Sequence, residues 1–432
     1  MKQLLAWIQH HQRLTLIGSI VLLVPLLTGG ILLATQSDDD DPFAPDAVTD
    51  PAFPSLSYGV HAFLWWNPTA RTIDLDNVRL MRFGYIKQRF SWANIQPAPD
   101  SWVWTNDLDQ GADGVVDEIE HRGLQLVARL DGPPDWALVD TGDDPAQPPV
   151  DLAAWGTYCG TLASRYQGRI AAYQVWNEPN LSREWFDLPP NAASYVKVLQ
   201  VCSDAIRTAD PDAIIISAGL APTGTLSPEA IPDTDFLRQM YDAGAADYFD
   251  VLGLNAPGYK APPEMSPDEA EEEYGHRWMC FRHVEDMRRI MVENGDAEKQ
   301  VALLEVGWTI DPREDSPYHW HAVTESEQAA YLVGAYRYAA QNWRPWIGLM
   351  TTIFLADFDW DENDEEYWWS INTAGYLVDS GQPWAGREAY YTLARMEQYI
   401  DDEVIPAYDD PSSTEATHVE TIVPRTGDEP VE

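Results

Sequence analysis

The chain has 432 residues, 70 of them acidic and 27 basic, for a formal charge of −43. Hydrophobic residues make up 45% and there are 19 tryptophans, enough to bury a sizeable core and too many for a disordered chain. A field of this sign repels phosphate backbones and anionic lipid, so nucleic acid is argued against as a partner.

The first element in chain order is an apolar run at residues 14–34, "LTLIGSIVLLVPLLTGGILLA". It carries no charge and is long enough to cross a bilayer. Lys2 and Arg13 precede it and "DDDD" follows at residues 38–41, which puts the bulk of the chain outside the cytoplasm. A cleaved signal peptide has a shorter apolar region and small residues before the cut. Ala34 is small, but Leu32 is not. Residues 1–34 therefore read as an uncleaved membrane anchor with an extracellular domain behind it, the alternative being a signal peptide and a secreted product. Residues 35–54, rich in Asp and Pro, read as an extended linker, residues 55–404 as one domain, and residues 405–432 as an acidic tail without structure.

Inside the domain, short apolar strands alternate with helical patterns. The strand candidates are "SLSYGVHAFL", "YIKQRFSW", "LQLVARL", "AAYQVWN", "AIIISAGL", "FDVLGLN", "QVALLEVGW" and "IGLMTTIFL". Helical periodicity covers residues 107–122, 152–166, 192–209, 277–294 and 325–342. Gly123, Gly168 and Gly295 stand just past three of these, where a left-handed cap is wanted. Eight strands in alternation with helices predict an α/β fold, a single (β/α)8 TIM barrel preceded by the transmembrane helix and linker. No Gly-x-Gly-x-x-Gly follows a strand, so a dinucleotide fold lacks its fingerprint. Of three cysteines, Cys159 and Cys202 fall in successive helices and could bridge, but an odd number favours buried free thiols.

Two carboxylates stand out. Glu178 ends the fourth strand in "YQVWNEPNL", where Pro179 stops the ladder, and Glu305 sits inside the apolar seventh strand "VALLEVGWT". A barrel places its chemistry at the carboxyl ends of its strands, so both would face one mouth. Paired carboxylates are the equipment of a glycosidase, and a close pair that of a retaining one. Arg89, in the second strand, is the expected ion-pair partner of Glu305.

"WNEPN" and "LLEVGW", together with "GPPDWA", "ADPDAIIISAGLAP" and "YFDVLGLN" in order, resemble the clan A glycoside hydrolases, nearest to families 39 and 5. The resemblance covers roughly residues 55 to 400. It implies that Glu178 is the acid/base, Glu305 the nucleophile and Asn177 a ligand of the sugar 2-hydroxyl, and it matches Arg89 to the arginine beside the nucleophile. The strand-six pattern departs from the family, reading "LNAPGYK" with Asn255 and a displaced Tyr259, which is expected to reach the nucleophile. The aromatic platform after strand eight is open among Phe354, Phe358 and Trp360. Trp136 and Trp308 are candidate sugar-stacking rings, with packing as the alternative.

The functional expectation is a retaining glycosidase acting on an oligosaccharide or polysaccharide, a monomer tethered to the membrane and needing no cofactor. The alternatives are a carbohydrate-binding barrel without turnover and a transglycosylase. No metal site is expected: His319 and His321 lack a third ligand, and "DFDWDENDEE" has Glu362 where a calcium loop needs glycine.

Overall fold

The computed structural model describes residues 47–142, 144, 146–373 and 384–408. The apolar segment 14–34 and most of the acidic tail lie outside them. Among the described residues no helix is long and apolar enough to cross a membrane.

Eight parallel strands close on themselves in sequence order: β1 (Ser57–His61), β2 (Tyr85–Ser91), β3 (Gln125–Asp131), β4 (Ala172–Val175), β5 (Ile214–Ile216), β6 (Val251–Pro257), β7 (Gln300–Gly307) and β8 (Ile347–Thr352). β8 pairs back to β1 through Leu349 opposite Ser57, which completes the barrel. The strands are buried on both faces, as expected of a parallel sheet sleeved by helices. All eight correspond to the apolar runs of the sequence.

The helices in chain order are α1 (Pro68–Leu80), α2 (Ala112–His121), α3 (Leu152–Arg165), α4 (Ala192–Ala209), α5 (Asp233–Asp242), α6 (Pro267–Tyr274), α7 (Val284–Glu293), α8 (Glu325–Asn342) and α9 (Glu388–Arg395). α3, α4 and α8 match their expected spans closely because each start carries its own cap. Asp151 and Asn191 accept from first-turn amides, and Thr324 forms a reciprocal box with Glu327. The pattern at residues 277–294 is shorter than expected: a 3-10 turn at Phe281–His283 leads into α7. Gly123, Gly168 and Gly295 adopt φ of 68°, 72° and 84°, the left-handed caps their positions called for.

The linker boundary needs correction. Phe53 is 1% exposed and packs with Val127, Ala172, Ile216, Val251 and Leu349 in the barrel core. Its backbone is held in both directions by Gln300, the first residue of β7: the Phe53 amide donates to Oε1 (2.8 Å), and Nε2 donates to the Phe53 carbonyl (3.1 Å). Residues next to the domain thus plug the barrel's amino-terminal end.

The cysteine expectation is also corrected. Cys159 and Cys202 form a disulfide with Cα atoms 5.4 Å apart, leaving buried Cys280 as the free thiol. Small residues explain the approach: a side chain at Gly156 would come within 2.8 Å of Val201 on α4. Closing 43 residues of chain, the bridge should contribute about 2–4 kcal/mol. The double substitution Cys159→Ser/Cys202→Ser should therefore lower the urea midpoint, and an unchanged midpoint would show the bridge to be energetically idle.

Candidate active site

Glu178 and Glu305 reach one mouth from different walls. The chain leaves β4 in a strained path, with Trp176 at φ 74° and Glu178 at φ 41°. Non-glycine residues pay about 1–3 kcal/mol for such conformations, which persist only where surroundings enforce them. Here the Glu178 amide donates to the Gly219 carbonyl (3.0 Å), tying the loop to the end of β5. Asn180 locks it further, donating to the Ala221 carbonyl (2.9 Å) and accepting from the Ala221 amide (3.0 Å).

The Glu178 carboxylate has two donors. Asn255 Nδ2 bonds Oε1 at 2.8 Å and Arg183 Nη2 bonds Oε2 at 2.9 Å. Asn255 stands opposite Glu305 in the β6–β7 register, immediately after an irregularity between Leu254 and Asn255. Such a slip re-aims a side chain, and this one turns the asparagine toward Glu178 from a position beside Glu305. A side chain at Gly219 would come within 2.3 Å of Asn255 Oδ1, so glycine is required there.

Glu305 is held from below. Lys87 Nζ lies 3.1 Å from its Oε1 and 3.0 Å from the Leu304 carbonyl, with the lysine fully buried. Arg129 Nη1 adds a contact at 3.8 Å. Burial draws the Lys87 ammonium down to about 8, with Glu305 opposing and Glu178 adding a smaller pull. One cation therefore feels both carboxylates. Their side chains are 12% and 17% exposed, open enough for a ligand to reach them.

The other expected residues fall less uniformly. Arg89 does not pair with Glu305. Its Nε lies 2.5 Å from Asp131 Oδ1, and its half-exposed guanidinium belongs to the upper rim. Lys87, two residues earlier and so on the same strand face, takes the place expected for it, because tilted strands put different sequence levels at one height. Tyr259 does not reach Glu305 either. Its hydroxyl donates to the Pro222 carbonyl (3.0 Å), and its ring neighbours Trp278 and Trp320 on the Glu178 flank. Trp308 is core rather than surface: it is 0% exposed, donates to the Ala261 carbonyl (3.0 Å), and is pressed so closely by Gly258 that no Cβ fits there. Trp136 is half-buried, its indole donating to the Gln96 carbonyl (3.2 Å) and its ring edge-on to Trp92. Asn177 is buried at the end of β4, where its Oδ1 accepts from Gln174 (3.4 Å).

Three residues escaped the sequence reading. Arg183 is only five positions beyond Glu178, in "NEPNLSRE". Lys87 was visible as a charge inside "YIKQRF". His61 ends β1 in register with Lys87, is 2% exposed, and has no hydrogen-bond partner on either ring nitrogen. Burial, then Lys87, Arg129 and Arg89, push its imidazole well below the ordinary range, so it is neutral and holds one donor and one acceptor for a ligand hydroxyl or water. Phe63 stacks on it at 5.0 Å and Phe354 meets it edge-on at 5.3 Å, while Trp360 packs behind on Phe63 at 4.6 Å and Phe354 at 5.7 Å. The aromatic wall left open by the sequence is thus built from Phe354 and Trp360.

No protein-family model matches the sequence, and no curated protein matches it. Solved structures share the fold. A family 39 glycoside hydrolase from Bacteroides cellulosilyticus superposes with a TM-score of 0.54 at 17% identity, over 80% of this chain and 64% of its own. A glucosidase from Croceicoccus marinus gives 0.52 at 14% identity, over 82% and 68%. A hyperthermophilic β-glucosidase mutant gives 0.51 at 12% identity, over 80% of this chain and 100% of its own. The chain therefore spans under two thirds of the family 39 enzyme, and at these identities the likeness establishes the (β/α)8 architecture.

The placement of Trp308 is testable. Trp308→Ala should cost about 3–5 kcal/mol of stability in urea unfolding, the range for emptying a buried tryptophan site. A stable variant with weakened carbohydrate binding would return this ring to the ligand surface.

Proposed function

We propose that the protein is a retaining glycosidase of the clan A type, in which Glu178 is the acid/base and Glu305 the nucleophile. The observation that carries this reading is the coupling of the two carboxylates through one buried frame: Asn255, beside Glu305 in register, bonds Glu178, and Lys87 lies in the field of both. In the first step Glu305 attacks the anomeric carbon while Glu178 gives its proton to the leaving oxygen. In the second, Glu178 takes a proton from water, which displaces Glu305. Lys87 and Arg129 set positive charge beside the Glu305 carboxylate, at 3.1 and 3.8 Å. His61, Asn177 and Arg89 are assigned to sugar hydroxyls, and Phe354 with Trp360 to a stacking wall.

The disulfide, which belongs to oxidising compartments, and the apolar segment 14–34 support a membrane-tethered extracellular enzyme, and we take it to act as a monomer on an oligosaccharide or polysaccharide. A second reading, a carbohydrate-binding barrel without turnover, is favoured by the Arg183–Glu178 ion pair, which occupies the carboxylate oxygen Oε2 from the solvent side. Arg183 is 59% exposed on a long stem, so on the enzyme reading it swings aside when the substrate enters.

Incubation with an activated 2-fluoro glycoside should leave a covalent adduct on Glu305, seen by peptide mass spectrometry. Glu178→Gln should slow poor leaving groups far more than activated aryl glycosides, which need no acid. Clean glycan binding without any adduct or hydrolysis would establish the binder instead.

Turnover should also fall as pH rises through about 8, because Lys87 then loses the proton that makes it a partner of Glu305. Lys87→Arg keeps its charge at that pH and should move the alkaline limb upward in a pH–rate profile. An unmoved limb would assign it to another group.

A further inference from the structure

Beyond the mouth, the loop after β6 and α7 enclose a cavity of about 470 Å³ against the start of α5. A buried imidazole forms part of its wall. His283 Nε2 lies 2.8 Å from Asp233 Oδ2 and its Nδ1 3.5 Å from Asp286 Oδ2, and the three residues are 6%, 3% and 8% exposed. Burial works against the imidazolium, but the two carboxylates prevail and hold it up to about 9. Arg277 and Arg289 then close on Asp286, at 2.8 and 2.9 Å. The wall is thus a rigid mesh of donors and acceptors whose charges are already matched. Glu271 and Glu293 line it as well, and the chain carries −43 overall, so an anionic ligand is disfavoured.

Aromatic rings lead from the catalytic mouth to this cavity. Tyr259, whose hydroxyl donates to the Pro222 carbonyl next to the Ala221 clamped by Asn180 of the Glu178 loop, stacks on exposed Trp320 with centroids 5.9 Å apart and meets Trp278 edge-on at 5.1 Å. Trp278 in turn stacks on exposed His276 at 5.5 Å. The cavity wall is shaped to admit Trp278: a Cβ at Gly224 would come within 2.5 Å of its Nε1. Amphipathic rings in a row, ending in a charge-matched polar cavity, fit the C–H faces and hydroxyls of a sugar chain.

We propose that this cavity is a binding subsite for an uncharged oligosaccharide, reached from Glu178 along Trp320, Tyr259, Trp278 and His276. Its position on the leaving-group side of the scissile bond rests on the glycosidase reading, since the acid/base serves the leaving oxygen. The ring run delivers the sugars beyond the cleaved bond into the cavity, where Arg277, Asp286 and Glu271 meet their hydroxyls.

The test measures calorimetric binding of cellohexaose, xylohexaose and mannohexaose to the full chain, alongside kcat/KM for the hexaose that is cleaved and for its aryl monoglycoside. Wild type is compared with Trp278→Ala and with Trp278→Phe, after urea unfolding has shown each variant to be folded. Trp278→Ala should weaken hexaose binding and hexaose kcat/KM by about tenfold, the loss of one stacked ring, with the aryl glycoside changed less than about twofold and Trp278→Phe restoring most of the difference. Equal factors on long and short substrates, no effect on either, no hexaose binding at millimolar concentration, or tighter binding of an oligogalacturonate would each overturn the subsite. Hexaose binding that depends on Trp278 without hydrolysis would uphold the cavity as a glycan site while overturning the glycosidase reading and the leaving-group position that depends on it. Hydrolysis with a Glu305 adduct but no Trp278 effect would do the reverse.

Discussion

A positive charge with no exposure to water organises this molecule. Lys87 is buried inside a ring of apolar strands, and an ammonium in such a place is costly unless opposite charge and hydrogen bonds meet it. Glu305 and the Leu304 carbonyl supply both. The arrangement explains why the strand carrying Glu305 tolerates a carboxylate among valines and leucines. It also fixes the height of Glu305 in the barrel, since the carboxylate rests on the lysine below it.

Around that centre the loops are pinned rather than free. The turn after β4 takes two left-handed residues and is held by Gly219, Asn180 and Ala221. Asn255 spans the gap to Glu178 because the β6–β7 pairing slips by one residue just before it. The strain sits beside the carboxylate whose orientation it sets, which is where preorganisation is useful.

Much of the barrel was legible in the sequence, because eight apolar runs of strand length separated by helical spans admit few alternatives. α1, α5, α6 and α9 were not marked: all four are polar on average, α6 and α9 run only eight residues each, and α1 and α5 start at Asn67–Pro68 and Pro232 rather than on an apolar run. The two glutamates announced themselves through their neighbours, Pro179 in one case and an apolar run in the other. The partner of Glu305 did not, since Lys87 and Arg89 share one strand face and only the tilt of the strands decides which is level with it. Trp308 misled for a related reason. Trp308 stands three residues past Glu305, an odd step that turns a strand side chain to the opposite face, and here Ala261 and Gly258 receive it. The disulfide was hidden by arithmetic, because three thiols leave one over whichever two pair.

Phe53 bears on how such a molecule is presented. It corks the end of the barrel opposite Glu178 and Glu305, and Gln300 fastens the backbone there. Residues 49–53 therefore lie at the closed pole, beside the first residues of β5 and β7. A pull on the backbone just ahead of Phe53 would load the stopper and the base of β7 first, leaving the strand ends at the far rim unloaded.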